Sequence, residues 1–175
     1  MEMYKAVIIL VILMVIFPLA TSAQETSYNL ETESISKRVD KILNGPITKE
    51  GLKKMPYKVW FNTNYKTYIV DTKTLKNIKR RKLKDLKILA FMGTWCHDSN
   101  REIPRLIRVC EELGIADQLE LYALDVDKTS VAGRESGFNI RKTPTIIFML
   151  EGKEIARILE EPKVSFEQDL EKILK

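Results

Sequence analysis

FMGTWCHDSNREIP, residues 91–104, decides how this chain is read. It follows an apolar run over residues 86–92, broken only by Lys87 and short enough for a buried strand. It leads into residues 100–113, whose apolar positions have helical spacing. Cys96 therefore stands at a strand-to-helix junction. In a first helical turn the unpaired backbone N–H groups and the helix dipole favour negative charge, so a thiolate is stabilised there. The residues that follow, His97, Asp98, Ser99, Asn100 and Arg101, are all polar, which speaks for a reactive thiol over an inert core cysteine. A protonated His97 favours the thiolate, whereas Asp98 disfavours it as a like charge and suits the positive end of the dipole. Ser99 is expected to donate a hydrogen bond to the sulfur; it forms no disulfide.

Cys110, the second of two cysteines, reads the opposite way. Ile103, Leu106, Ile107, Cys110 and Leu113 share one helical face, so Cys110 is a core residue. Fourteen residues of helix span about 21 Å, while a disulfide needs Cα atoms within roughly 7 Å, so Cys110 cannot resolve a disulfide on Cys96 within the chain. Two cysteines make no disulfide framework, and with a single histidine no zinc site and no metal or other cofactor is expected.

Outward from the junction the pattern stays regular. Residues 119–126 read as a strand and a short helix is expected over 130–136. Thr143-Pro144 opens a third apolar run over 145–150, Glu151-Gly152-Lys153 turns the chain, and 154–159 pairs back. Ser165-Phe-Glu-Gln168 is a capping box for a last amphipathic helix, with Phe166, Leu170, Ile173 and Leu174 on one face. Upstream, the β-branched and aromatic residues of 57–61 and 65–70, separated by Asn62-Thr63-Asn64, predict a hairpin or two short strands. Ile35, Val39, Ile42 and Leu43 predict a short amphipathic helix ending at Asn44-Gly45-Pro46. The class is α/β, three-layered, with a central mixed β-sheet flanked by helices.

The first residues differ in kind. Lys5, an apolar run over 6–17, Pro18, and small residues at Thr21 and Ala23 form a secretory signal pattern over 1–23. Pro18 ends the run well short of the roughly 20 apolar residues a spanning helix needs. The expectation is export, periplasmic or extracellular, with membrane contact only if this segment is retained as an anchor. Residues 24–56 read as a polar extension with one short helix, and 57–175 as the domain, its core from about 68. The net charge is +5 over 175 residues. Residues 49–87 hold thirteen Lys and Arg against three acids, including Lys79-Arg80-Arg81-Lys82, read as a solvated helix face or as a patch for lipid headgroups or an acidic partner. Export argues against nucleic acid.

With these residues in view, the segment from about 68 to 175 resembles the thioredoxin superfamily. The matching pieces are a strand ending in Trp95-Cys96 at a helix start, Pro104 eight residues on, Thr143-Pro144 opening a strand, the Glu151-Gly152-Lys153 hairpin and the terminal helix. The resemblance implies a nucleophilic Cys96, Trp95 packing beside it, and Thr143-Pro144 as a cis-proline loop opposite the sulfur that offers backbone hydrogen bonds to an extended substrate. This chain departs from the family pattern with Ser99 in place of a second cysteine, and with Ala90 where many thioredoxins carry a buried acid. Met92 and Gly93, where peroxiredoxins have Pro and Thr, argue against peroxidase chemistry of that kind. The implied activity is thiol–disulfide exchange on protein disulfides through one cysteine and a mixed disulfide, released by a substrate thiol or a small-molecule thiol. The alternative is a redox-inactive module that binds protein partners in the cis-proline groove.

Overall fold

The computed structural model describes residues 27–34 and 40–175. The signal segment expected over 1–23, and the Ile35 and Val39 part of the expected short helix, lie outside them. The strands are β1 (Glu31–Glu33), β2 (Lys41–Leu43), β3 (Gly45–Ile47), β4 (Leu86–Met92), β5 (Leu119–Ala123), β6 (Thr145–Leu150) and β7 (Lys153–Leu159). The helices are α1 (Lys49–Leu52), α2 (Lys58–Thr67), α3 (Thr72–Leu75), α4 (Arg80–Leu83), α5 (His97–Leu113) and α6 (Phe166–Ile173). β3, β5, β4, β6 and β7 form one sheet in that order; β4 and β5 are parallel and every other pair is antiparallel. β1 and β2 form a separate antiparallel ribbon.

β4 is the middle of the sheet and is apolar on both faces, which is why it reads as a continuous hydrophobic run. Its alternate residues Ile88, Ala90 and Met92 join the large core shared with Ile103, Leu106 and Cys110 of α5 and with Phe166 and Leu170 of α6. Leu89 and Phe91 point the other way and pack with Leu124 and Ile147, against Tyr122, Phe138 and Ile140. The third layer, covering that second face, is supplied by residues 124–143. The helix expected over 130–136 is absent there: the segment is a series of turns, with Gly133, Gly137 and Asn139 in the left-handed region, a conformation that ends a helix as it forms.

Residues 58–67 form a helix in place of the expected hairpin. Tyr57, Phe61, Tyr65 and Tyr68 are spaced four, four and three apart; Phe61 is fully buried and stacks on Tyr65. Packing that aromatic stripe on the core overrides the β propensity of its members. The polar residues read as a turn are absorbed by the helix, since Thr63 Oγ1 and Asn64 Nδ2 donate to the carbonyls of Val59 and Trp60 one turn back. Asn64 Nδ2 also reaches Asn100 O at 3.1 Å. That carbonyl is the one left without its helical donor by Pro104, four residues on, so α2 repairs the proline defect in α5.

Ile42 and Leu43 belong to strand β2, and Gly45-Pro46 opens β3, where the sequence predicted a helix end. The reason is non-local: Gly45, at φ +88°, and Pro46 pair with Ala123 and Tyr122. Ile42, Leu43, Ile47 and Leu52 are buried. The packed body thus begins upstream of residue 57, and four apolar residues of the expected polar extension are core. Among the described residues no helix is long and apolar enough to cross a membrane.

Candidate active site

β4 delivers the chain to the site. After Met92 the backbone turns through Gly93, Thr94 and Trp95, and Cys96 becomes the N-cap of α5, its N–H donating to Gly93 O at 3.0 Å and its carbonyl accepting from Asn100 N at 3.0 Å. Cys96 is half-buried as a residue. Its Sγ lies 3.0 Å from the carbonyl oxygen of Thr143 and donates to it. The Thr143–Pro144 peptide is cis, and Pro144 O accepts from Glu160 N at 2.8 Å. Thr143 is buried and Thr145 Oγ1 donates to Lys142 O, so this loop is held from both sides.

The other predicted residues separate into those at the thiol and those turned away. Trp95, next to Cys96 in the chain, is pinned by Nε1 donating to Leu124 O at 2.9 Å, with Lys128 Nζ 4.7 Å from the ring centre. Gly93 makes room for that ring: a Cβ there would lie 2.5 Å from Trp95 Cε2. Ser99 is fully buried and its Oγ accepts from Gly93 N at 3.2 Å, so it braces the strand end, while the hydrogen bond of the sulfur goes to Thr143. His97 is 89 % exposed, with Nδ1 3.8 Å from Asp98 Oδ1, beyond hydrogen-bond reach. Asp98 is held by Arg101 at 2.9 Å. Cys110 is fully buried, and burial first, with the nearby Glu111 charge second, pushes its thiol up to about 12.

Gly93, Leu124, Lys128 and Arg101 belong to this site without having been singled out in the sequence. Only Arg101 left a local signal there, three residues after Asp98 on one helix face. The contacts of Leu124 and Lys128 are long-range in sequence and leave none. Among the described residues no group of three or more His, Cys, Asp and Glu side chains is placed to hold a metal ion.

No family model and no curated protein matches the chain. Solved structures similar to it include thioredoxin O2 from Arabidopsis thaliana, at 18% identity over 59% of this chain and 86% of that one, TM-score 0.40. Fasciola hepatica thioredoxin is 20% identical over 57% of this chain and 88% of that one, TM-score 0.38. A Pseudomonas aeruginosa protein of unknown function is 11% identical over 67% and 81%, TM-score 0.48. Strand order, the parallel β4–β5 pair and a cis-proline facing the cysteine that caps α5 make the fold thioredoxin-like.

Proposed function

We propose that this protein performs thiol–disulfide exchange on protein substrates with Cys96 as its only nucleophile. The observation that carries the reading is the sulfur of half-buried Cys96, 3.0 Å from the Thr143 carbonyl that directly precedes cis-Pro144. Deprotonated Cys96 attacks one sulfur of a substrate disulfide; a Cys96–substrate disulfide forms and the other substrate sulfur leaves as a thiolate. A second thiolate then attacks the mixed disulfide and returns Cys96 to the thiol form. When that thiolate belongs to the substrate, the net change is isomerisation; when it comes from a small-molecule thiol, the substrate leaves with one free thiol and one sulfur in a disulfide with that small molecule, and a second small-molecule thiol completes the two-electron reduction by leaving as the small-molecule disulfide. Neither Ser99, a buried hydroxyl, nor Cys110, buried on the far stretch of α5, supplies the second step. The setting is extracytoplasmic, after removal of the leading apolar segment or anchored by it, where substrate disulfides persist.

Cys96→Ala and Cys110→Ala variants test the assignment. Incubated with a disulfide-containing model protein and quenched with acid, wild type and Cys110→Ala should yield a mixed disulfide by mass spectrometry, and Cys96→Ala none. Capture by Cys96→Ala, or by no form of the protein, overturns the reading; in the second case the groove at Pro144 is left as a surface for binding protein partners.

A further inference from the structure

Asp98 sets a problem for any chemistry at Cys96, because a carboxylate two residues from the sulfur opposes the thiolate that the reaction needs. We propose that Arg101 is the positioning residue that solves it: its guanidinium holds Asp98 in an ion pair and is itself locked in place from two other sides. Nη1 lies 2.9 Å from Asp98 Oδ1, Nε 2.5 Å from Glu102 Oε1, and Nη2 3.1 Å from Glu161 Oε2. Glu102 is 2 % exposed and shares the same oxygen with Arg105 at 3.0 Å, so the Nε contact is a buried, charge-assisted anchor. Glu161 follows Glu160, whose N–H holds Pro144 O. One side chain therefore neutralises the acid two residues along from Cys96 and ties the first turn of α5 to the chain behind the cis-proline. The planar fork of arginine suits three carboxylates at once; a lysine offers a point charge only. His97, exposed and with Nδ1 3.8 Å away, leaves the acid to Arg101.

The inference rests on the exchange reading, and its test is kept separate from it by using iodoacetamide, which needs no disulfide substrate, as the probe of Cys96. Labelling is followed on the Cys96 peptide by mass spectrometry at pH 7 and low salt. Arg101→Gln should slow alkylation about three- to tenfold, the effect of one uncompensated charge near a protein surface. Adding Asp98→Asn to Arg101→Gln should bring the rate back to within about twofold of wild type, because the charge to be neutralised is gone. Arg101→Lys, which keeps the cation, should fall between wild type and Arg101→Gln. A wild-type rate in Arg101→Gln, or a double variant as slow as Arg101→Gln, overturns the proposal, since a merely structural role gives no rescue through Asp98. If loss of Arg101 unfolds the chain by leaving Glu102 short of a partner, the same series is made in a Glu102→Gln background. Mixed-disulfide capture by wild type, run alongside, reports on the exchange reading alone: its failure leaves the alkylation series to decide Arg101.

Discussion

Beside the thiol, Gly93 leaves space that a single methyl group would take away. An alanine there would place Cβ 2.5–2.9 Å from three atoms of the Trp95 ring, and the ring cannot swing aside without giving up the Nε1 hydrogen bond to Leu124. Gly93→Ala is therefore expected to cost about 1–3 kcal/mol, read as a lower urea midpoint, and to shift the emission of Trp95 recorded in a Trp60→Phe background. The two cysteines make a second contrast at this scale. In the native protein iodoacetamide should label Cys96 and spare Cys110, which is fully buried and whose thiol is pushed up to about 12 by that burial; Cys110 should react only once urea unfolds the chain. Labelling of both at equal rates in the folded state would contradict the assigned burial. Both residues were legible in the sequence because their evidence is local: a junction for one, a helical stripe for the other. The direction of the Ser99 hydroxyl was not, because its partner is the backbone N–H of Gly93, and the choice between that donor and the sulfur depends on how β4 meets α5.

At the scale of elements the same division holds. β4 and β6 run over the residues their apolar patterns predicted, and α6 starts at Ser165, whose side chain accepts from Gln168 N. Residues 58–67 were misread because β-branched and aromatic residues favour strands when nothing else decides, and what decides here is packing on α5, which begins thirty residues after α2 ends and leaves no local pattern in the sequence. The bond from Asn64 to Asn100 O makes this dependence measurable. Asn64→Ala should cost about 1 kcal/mol by leaving the carbonyl freed by Pro104 without its donor. Pro104→Ala restores a backbone N–H at that position, so in its presence Asn64→Ala should cost distinctly less. Urea denaturation of the two single variants and the double variant gives the coupling energy; strict additivity would mean that the two residues do not serve the same carbonyl.

Across the whole molecule, the layers are tied by side chains that bridge segments far apart in sequence. This is why the reach of the folded body back to residues 41–52 was not legible: β3 finds its partner β5 some seventy residues later, and Lys49 of α1 and Tyr65 of α2 both meet Glu111 of α5. Burial works against the ionised form of Glu111, but the hydrogen bonds from Lys49 and Tyr65 outweigh it and hold its carboxyl below the ordinary value of 4.5. Burial likewise opposes the charge on Lys49, and the bonds to Glu111 and Tyr65 outweigh it and raise its ammonium above 10.5. A carboxyl with a depressed folded value stabilises above its unfolded value, and that contribution is lost as pH falls through the folded one; a raised lysine stabilises below its unfolded value and loses this as pH rises through the folded one. Burial also raises Tyr57 to about 12, so the folded state is lost at the alkaline end as well, where the unfolded chain ionises first. The urea midpoint should therefore be flat between roughly pH 6 and 9 and fall on both sides. Glu111→Gln should lower that plateau by about 0.5–1 kcal/mol, as a partly exposed ion pair does, and the loss should be smaller at acid pH, where the wild-type carboxyl is giving up its charge, than at pH 7. An equal loss at both pH values would show that Glu111 contributes through packing and not through its charge.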